Sequence, residues 1–391
     1  IVPHRLTPAI TNTFWVNLIG RGYPYPRRDF RWCTDRMKID ASNRFIKSIL
    51  DAESEAIMVL GSRKAESAVR KAVLEGYEKK RYRAHLSPNG SFPNSYVFTP
   101  IENWLNDNVW QYLVPWGHSN KDLLAMYSGA SADGECPLVI DSSTPSCGNS
   151  RFGCWVCTMV TEDKSMAAMI QNDEEKAWML PMLEFRNEIA GYGDWQTDRD
   201  RRDFRKRDGR LQWHNNRLVH GPYTKETREY FLRRLLEVEL LVHEIGPDEI
   251  KDVPLITMEE LKFIRQLWLD EFHEFDDSLP RIYEEVTGKK YSDGTISKNK
   301  YFGTTEAELL KEVCAELYPN EQLLAEMQRA LLDTEAKAAA ISNKRNVILN
   351  FEKEIKKAFY KDEADAESIA STRALRISGI TDEASTEDFV D

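Results

Sequence analysis

The sequence has no run of eighteen or more apolar residues, so it holds no segment able to cross a membrane as a helix. It also lacks the basic-then-apolar opening of a secretory signal, which makes the cytoplasm the expected compartment and leaves no role for a membrane partner. Neither glycine (19) nor proline (16) is abundant in 391 residues, which excludes collagen-like and low-complexity architectures. No internal repeat is visible. Cysteine is scarce too, with six residues, and in a cytoplasmic chain they are not expected to pair as disulfides.

What is present is enough apolar material for a sizeable core: 41% of residues, including 10 Trp, 15 Tyr and 16 Phe. The length suggests two or three domains. The net charge of −11 conceals an asymmetry, because residues 1–130 hold 18 Lys and Arg against 12 Asp and Glu, whereas the remainder is strongly acidic. A phosphate-bearing ligand is drawn to the first third, and the acidic remainder favours solubility. The chain begins with Ile and enters aromatic-rich sequence at once, so a segment upstream is expected.

Residues 1–125 read as α/β. Ala56 to Leu60 is a short apolar strand that ends at Gly61-Ser62 and gives way to a helix-favouring stretch from Arg63 to Tyr77. A second strand, Tyr96 to Phe98, stops at Pro100, and Trp104, Leu105, Val109, Trp110 and Leu113 follow at helical spacing. Residues 126–221 lose this periodicity and concentrate Gly, Ser, Pro and Cys. From 222 to 391 the pattern is helical. Capping boxes are expected at Thr257/Glu260 and Thr305/Glu308, a long exposed helix at 334–361, and a mobile acidic tail in the last thirty residues.

Four cysteines, Cys136, Cys147, Cys154 and Cys157, fall within 22 residues. Four thiolates in one irregular loop can surround a zinc ion or an iron-sulfur cluster, and a zinc-stapled loop without chemistry is the plain alternative. Cys314 sits among Leu309, Leu310, Val313 and Leu317 as a core thiol. Cys33 stands alone beside Arg31, Arg36 and Lys38, whose charges are expected to lower its pKa and make it a nucleophile or sulfur carrier; packing beside Trp32 is the alternative. The segment from Gly61 to Arg70 offers close backbone approach, free amides at a helix start, and Arg63 and Arg70 as an anion clamp, or else is an ordinary solvated helix. The stretch from Arg199 to Arg210 carries seven basic and three acidic residues, suited either to a nucleic-acid backbone or to a self-paired surface loop.

Several of these motifs converge. Trp32-Cys33-Thr34 with Lys38, the Gly-Ser-Arg-x-x-Glu-Ser-x-x-Arg segment at 61–70, and Pro100-Ile101-Glu102-Asn103-Trp104 leading to Val109-Trp110 resemble the phosphoadenylyl-sulfate reductase group of adenine-nucleotide α-hydrolases. Within that group, the segment from Phe14 to Pro24, Arg31 to Thr34, and Cys147-Gly148 through Cys157 are similar to the DndC family, the sulfur-inserting subunits of DNA phosphorothioation. The resemblance spans about residues 1–245 and is general in character beyond.

The resemblance implies a Rossmann-like nucleotide α-hydrolase domain with a parallel sheet and flanking helices at 1–125, an iron-sulfur region at 126–221 and an α-helical C-terminal domain at 222–391. It implies an ATP-dependent sulfurtransferase that attaches AMP to a non-bridging DNA phosphate oxygen and replaces that oxygen with sulfur from a cysteine desulfurase. Cys33 would relay sulfur; Lys38, Gly61, Arg63, Glu66, Ser67 and Arg70 would lie at the nucleotide or phosphate; Cys136, Cys147, Cys154 and Cys157 would bind a 4Fe-4S cluster; ATP would come with Mg2+. DNA, the desulfurase and other phosphorothioation subunits, met through the helical C-terminal domain, are the implied partners. A phosphoadenylyl-sulfate or adenylyl-sulfate reductase and a non-catalytic iron-sulfur scaffold are the alternatives. The Ser-Gly-Gly-x-Asp-Ser type ATP loop of the group is not among the 391 residues, so the sequence is expected to start downstream of it.

Overall fold

A computed structural model of the chain describes residues 2–27, 30–116, 121, 123–127, 152–191, 195–292, 303–319, 323–339 and 346–377. Cys136, Cys147 and the tail beyond 377 lie outside the described residues. The chain divides into two compact units, the first formed by Ile1–Ala9 with Pro26–Glu188 and the second by Ile10–Tyr25 with Ile189–Asp391.

The first unit is mixed α/β. A π-helical lead, Thr34–Ile39, runs directly into α1 (Asp40–Glu53), which stops where Ser54 turns left-handed at φ 66°. Strand β1 (Ala56–Val59) follows, then α2 (Ala68–Glu78), β2 (Leu86–Pro88), β3 (Ser95–Phe98) and α3 (Asn106–Leu113). β1 pairs parallel with β3, with Ala56 opposite Ser95 and Val59 opposite Phe98, whereas β2 joins the other edge of β3 antiparallel. The sheet is therefore smaller and more mixed than the parallel sheet the sequence suggested. The expected helix from Arg63 is also broken. A 3-10 turn at Lys64–Glu66 is separated from α2 by Ser67, whose extended backbone lets its hydroxyl accept the N–H of Arg70 as an N-cap. Two further helices, α4 (Lys164–Asn172) and α5 (Leu180–Ile189), lie beyond the cysteine pair.

The second unit is helical and is built around α7 (Lys225–Ile245) and α8 (Met258–Glu271), after a short α6 (Trp195–Asp200) and the small hairpin β4–β5 (Trp213–His214, Arg217–Leu218). Phe231, Leu232, Leu235, Leu236 and Val242 recur at helical spacing on α7 and are all at most 1% exposed, the stripe expected of a core-facing helix. The segment from Phe14 to Gly20, which the sequence reading grouped with the α/β domain, packs in this helical core. Its π-helical part Val16–Gly20 is buried, Trp268 donates its indole N–H to the Ile19 carbonyl at 3.1 Å, and Trp15 donates to Leu255 at 2.7 Å. A side chain at Gly20 would sit 2.9 Å from Leu267, so glycine is what lets the segment lie on α8.

The remaining helices are α9 (Ser278–Thr287), α10 (Thr304–Leu317), α11 (Leu324–Ala339), α12 (Val347–Lys357) and α13 (Glu363–Ile377). The Thr257/Glu260 capping box forms with both reciprocal bonds. The second start is two residues earlier than expected: α10 begins at Thr304, and Glu306, not Glu308, reaches back to the Gly303 N–H at 2.8 Å. In place of one long helix at 334–361 there are two, α11 and α12, packed on each other. Nor are the last thirty residues wholly a tail, because Ala366 and Ala370 of α13 are buried with Phe204, Leu218 and Tyr360.

A charged hub holds α11 and α12. His273 meets Asp333 at 2.6 Å and Glu354 at 3.8 Å, and Lys337 and Lys357 bind the same two carboxylates at 2.7 Å. Burial disfavours the imidazolium, but the hydrogen bonds and charges of Asp333 and Glu354 outweigh it and raise the His273 pKa above 6.5. Glu354 is held down to about 2, again against burial, by His273 and Lys357. The stabilisation from His273 is complete below pH 6.5 and fades as pH rises through its raised folded value; that from Glu354 is complete above its unfolded value and fades as pH falls towards 2. Thermal melts taken from pH 6 to 9 should show the wild-type Tm falling by roughly 2–4 °C for each kcal/mol lost, with the slope flattened in His273→Gln. Equal slopes in the two proteins would refute the assignment.

Candidate functional site

In the first unit, Cys33 caps the π-helical lead of α1 immediately after the buried Trp32. The basic neighbours do not set its acidity. Burial pushes the Cys33 thiol up, a hydrogen bond with Thr34 pulls it down, and negative charge on Cys157 and then Cys154 pushes it up again. Sequence proximity of Arg31, Arg36 and Lys38 misled here because a thiol half withdrawn from water responds first to desolvation. Lys38 is exposed on the same turn. The thiol environment reveals something the sequence did not: Cys33 is within electrostatic reach of the Cys154-x-x-Cys157 pair, more than a hundred residues away in the chain.

That pair lies on one tight turn, closed by the Cys157 N–H donating to the Cys154 carbonyl at 2.9 Å, with Cys154 exposed and Cys157 half-buried. Arg186 of α5, with no exposed surface, holds the turn from behind. Its Nε and Nη2 donate to the Cys157 carbonyl at 3.0 and 2.9 Å, Nη1 donates to the Thr161 carbonyl at 2.8 Å, and Nη2 also reaches the Val160 carbonyl. Burial lowers the Arg186 pKa, against the pull of Asp163, Cys157 and Glu162. Thr158 adds a bond from its hydroxyl to the Pro26 carbonyl at 2.6 Å. Arg186 was missed at the sequence level, since nothing in its neighbourhood marks it; only the fold brings it under the cysteine turn.

Among the described residues no group of three or more His, Cys, Asp or Glu side chains is arranged to hold a metal. Cys154 and Cys157 supply the two thiols of a ligand pair on a fixed turn, which suits soft-metal or cluster chemistry. The other two thiols assigned by resemblance, Cys136 and Cys147, lie outside the described residues.

The Gly61–Arg70 segment forms a second polar group in the same unit. Arg63 bonds Asn106 at 3.4 Å and pairs with Glu66 at 3.5 Å; Arg70 pairs with Glu66 at 3.6 Å and donates to the Ser62 hydroxyl at 3.0 Å. Glu66 thus sits between the two guanidiniums and holds them together. A side chain at Gly61 would meet only Ile101, at 3.7 Å, so packing within the unit does not require glycine there. Glu102 underpins the arrangement. Fully buried, it binds Arg81, the Thr99 hydroxyl at 2.9 Å and His85 at 3.1 Å, while its carbonyl accepts the Lys64 N–H at 2.8 Å and so ties the end of β3 to the 61–67 loop. Burial opposes its ionisation, but the Arg81 and Thr99 bonds and the charges of Arg81 and Lys64 hold its pKa below the usual range. The sequence hint was a charged residue two positions after Pro100, at a strand end.

The basic stretch from Arg199 to Arg210 belongs to the second unit, where its charge is largely neutralised. Arg199 pairs with Glu363, Arg202 with Asp198 at 2.9 Å, Arg205 with Asp203 at 2.6 Å and Glu326 at 2.8 Å, Arg207 with Glu271, and Arg210 with Asp208 at 2.5 Å. This is the self-paired alternative of the two that the sequence allowed.

The parallel β1–β3 pair, the helix start at Ser67 and the loop between them give the first unit the character of a nucleotide-handling α/β domain. Residues 18–160, about a third of the chain, match the family model described as the phosphoadenosine phosphosulfate reductase domain, which supports placement in the adenine-nucleotide α-hydrolase-like superfamily. Members of that family are nucleotide-using enzymes of sulfur chemistry. No curated protein and no solved structure matches the chain. Among the described residues no helix is long and apolar enough to cross a membrane.

Proposed function

We propose that the chain is an ATP-dependent sulfurtransferase of DNA phosphorothioation. The observation that carries this reading is the meeting of Cys33 with the Cys154–Cys157 turn inside the unit that contains most of the phosphosulfate-reductase match. A nucleotide enzyme of sulfur chemistry needs a thiol to receive sulfur and a site for an activated phosphate; Cys33 serves the first need, and Ser62, Arg63, Ser67 and Arg70 serve the second, with Gly61 leaving room for close approach. Glu66 keeps the two guanidiniums in place until an anion competes for them. AMP attached to a non-bridging phosphate oxygen makes that oxygen a leaving group, and pyrophosphate departs when the bond to AMP forms; a sulfur nucleophile then displaces AMP with the oxygen. The excess of basic residues in the first third of the sequence favours a polyanionic substrate such as DNA. A cysteine desulfurase is the sulfur source, and other subunits dock on the helical unit.

When bound, a 4Fe-4S cluster would supply a redox-active or Lewis-acidic centre, held by Cys154 and Cys157 together with Cys136 and Cys147. Protein purified without oxygen should contain about four irons per chain and absorb broadly in the visible. Colourless protein with a single zinc would overturn the cluster assignment.

The name of the matched family favours a second reading, the reduction of an adenylylated sulfate. The two separate cleanly. DNA from cells expressing the protein with its partner subunits should contain phosphorothioate linkages on nuclease digestion and mass spectrometry. Sulfite release from phosphoadenylyl sulfate, with no sulfur in DNA, would support the reductase instead.

A further inference from the structure

The helical unit contains a cavity of about 720 Å³, lined by charged side chains of both signs. Among its walls are Arg228 and Glu274, each only 2% exposed. Arg228 donates through Nη2 to Oε1 of Glu274, and its guanidinium lies over the Phe272 ring, 3.9 Å from the centroid, with Trp268 at 5.2 Å. Its Nε and Nη1 make no hydrogen bond among the described residues, and neither does Oε2 of Glu274. Each buried polar atom left in this state costs about 1–3 kcal/mol, so donors and an acceptor stand ready side by side for whatever enters.

Arg207 adds an independent observation. It lines the same cavity, over the opposite part of Phe272 at 5.3 Å, paired with Glu271. Burial pushes its pKa down, Tyr23 opposes this, and the positive charges of Arg21 and Arg228 push it further down. Positive charge is therefore crowded at this wall, and an anion would relieve it. The approach is made possible by Gly22, at φ +66°, where a side chain would meet the Tyr223 carbonyl at 3.0 Å and the Arg228 side chain at 3.2 Å.

We propose that this cavity binds inorganic hydrogen phosphate, with its anionic oxygens accepting from Arg228 and Arg207 and its remaining O–H donating to Oε2 of Glu274. The carboxylate decides the ligand. An oxyanion that binds Arg228 comes up against Glu274, which repels it unless it brings a proton. Hydrogen phosphate keeps one throughout the neutral range, whereas sulfate has none, and a phosphate monoester has lost its own above roughly pH 6. A side chain as deeply buried as Arg228 is also out of reach of a nucleic-acid backbone, which favours a small ligand. The proposal does not rest on the sulfur-transfer reading.

The test is calorimetric titration of the full chain at pH 8 and fixed ionic strength with phosphate, sulfate and AMP. Phosphate should bind saturably, at least about tenfold more tightly than either competitor. Glu274→Gln, whose amide can donate as well as accept, should narrow the preference for phosphate over sulfate, a change that mere structural support would not produce. Arg207→Gln should weaken phosphate by about tenfold or more while its melting curve stays cooperative. Replacing Arg228 alone leaves a buried carboxylate and risks unfolding, so the paired Arg228→Met and Glu274→Met protein, in which both charges go together, should bind no phosphate. Absence of saturation, equal affinity for sulfate or AMP, unchanged affinity in Arg207→Gln, or wild-type binding in the paired variant would each overturn the proposal.

Discussion

Cys33→Ser is expected to abolish phosphorothioate formation in cells, to below the detection limit of mass spectrometry, while iron content and the melting curve stay at wild-type values. Serine preserves the small, half-buried side chain that packs next to Trp32 and retains a polar atom for the Thr34 contact, so little of the fold is at risk. What it removes is sulfur chemistry, because an alkoxide at neutral pH is neither formed nor able to carry a persulfide. The raised Cys33 pKa sharpens the expectation. A thiol that burial keeps protonated is a poor spontaneous nucleophile, so the residue should resist alkylation by small reagents at pH 7 and react faster as pH rises. Normal phosphorothioate levels in the serine variant would take Cys33 out of the mechanism and leave it as a packing residue.

The second large effect is expected at Arg186. Arg186→Met should lower stability by about 3 kcal/mol or more and release the Cys154–Cys157 turn, because the carbonyls of Cys157, Val160 and Thr161 lose their donors together. Arg186→Lys keeps the charge but cannot divide it among three carbonyls in one plane, so it should recover only part of the loss. Hydrogen exchange at residues 157–161 separates a specific role from general destabilisation. If the turn exchanges no faster in Arg186→Met than the rest of the unit, Arg186 is simply a core residue.

The sequence was most informative where local chemistry decides structure. The apolar run at 56–60 and the stop at Pro100 marked two strands, and Thr257 with Glu260 marked a helix start, because the causes of those features lie within a few residues. The phosphate-type segment at 61–70 was also legible as a group, although the extended Ser67 that divides it was not, since Glu, Lys and Ala on either side all favour helix. Reading failed where partners are remote. Asp333 and Glu354 give no sign of sharing His273, so the stretch around them read as one solvated helix. The depressed pKa expected for Cys33 assumed that nearby charges decide, whereas desolvation and two distant thiols do. The basic run at 199–210 looked available for a polyanion until Glu271, Glu326 and Glu363 were found facing it.

The bond between Trp268 and Ile19 joins residues 249 apart in sequence. Its consequence falls on synthesis. The apolar segment Phe14-Trp15-Val16-Asn17-Leu18-Ile19 leaves the ribosome early but has no surface to bury against until α7 and α8 exist. At ordinary elongation rates of about 5–20 residues per second, that interval is roughly 10–50 s. For all of it the nascent chain displays one of its most hydrophobic stretches, which makes this segment a natural binding site for a chaperone and the step most exposed to error in making the protein.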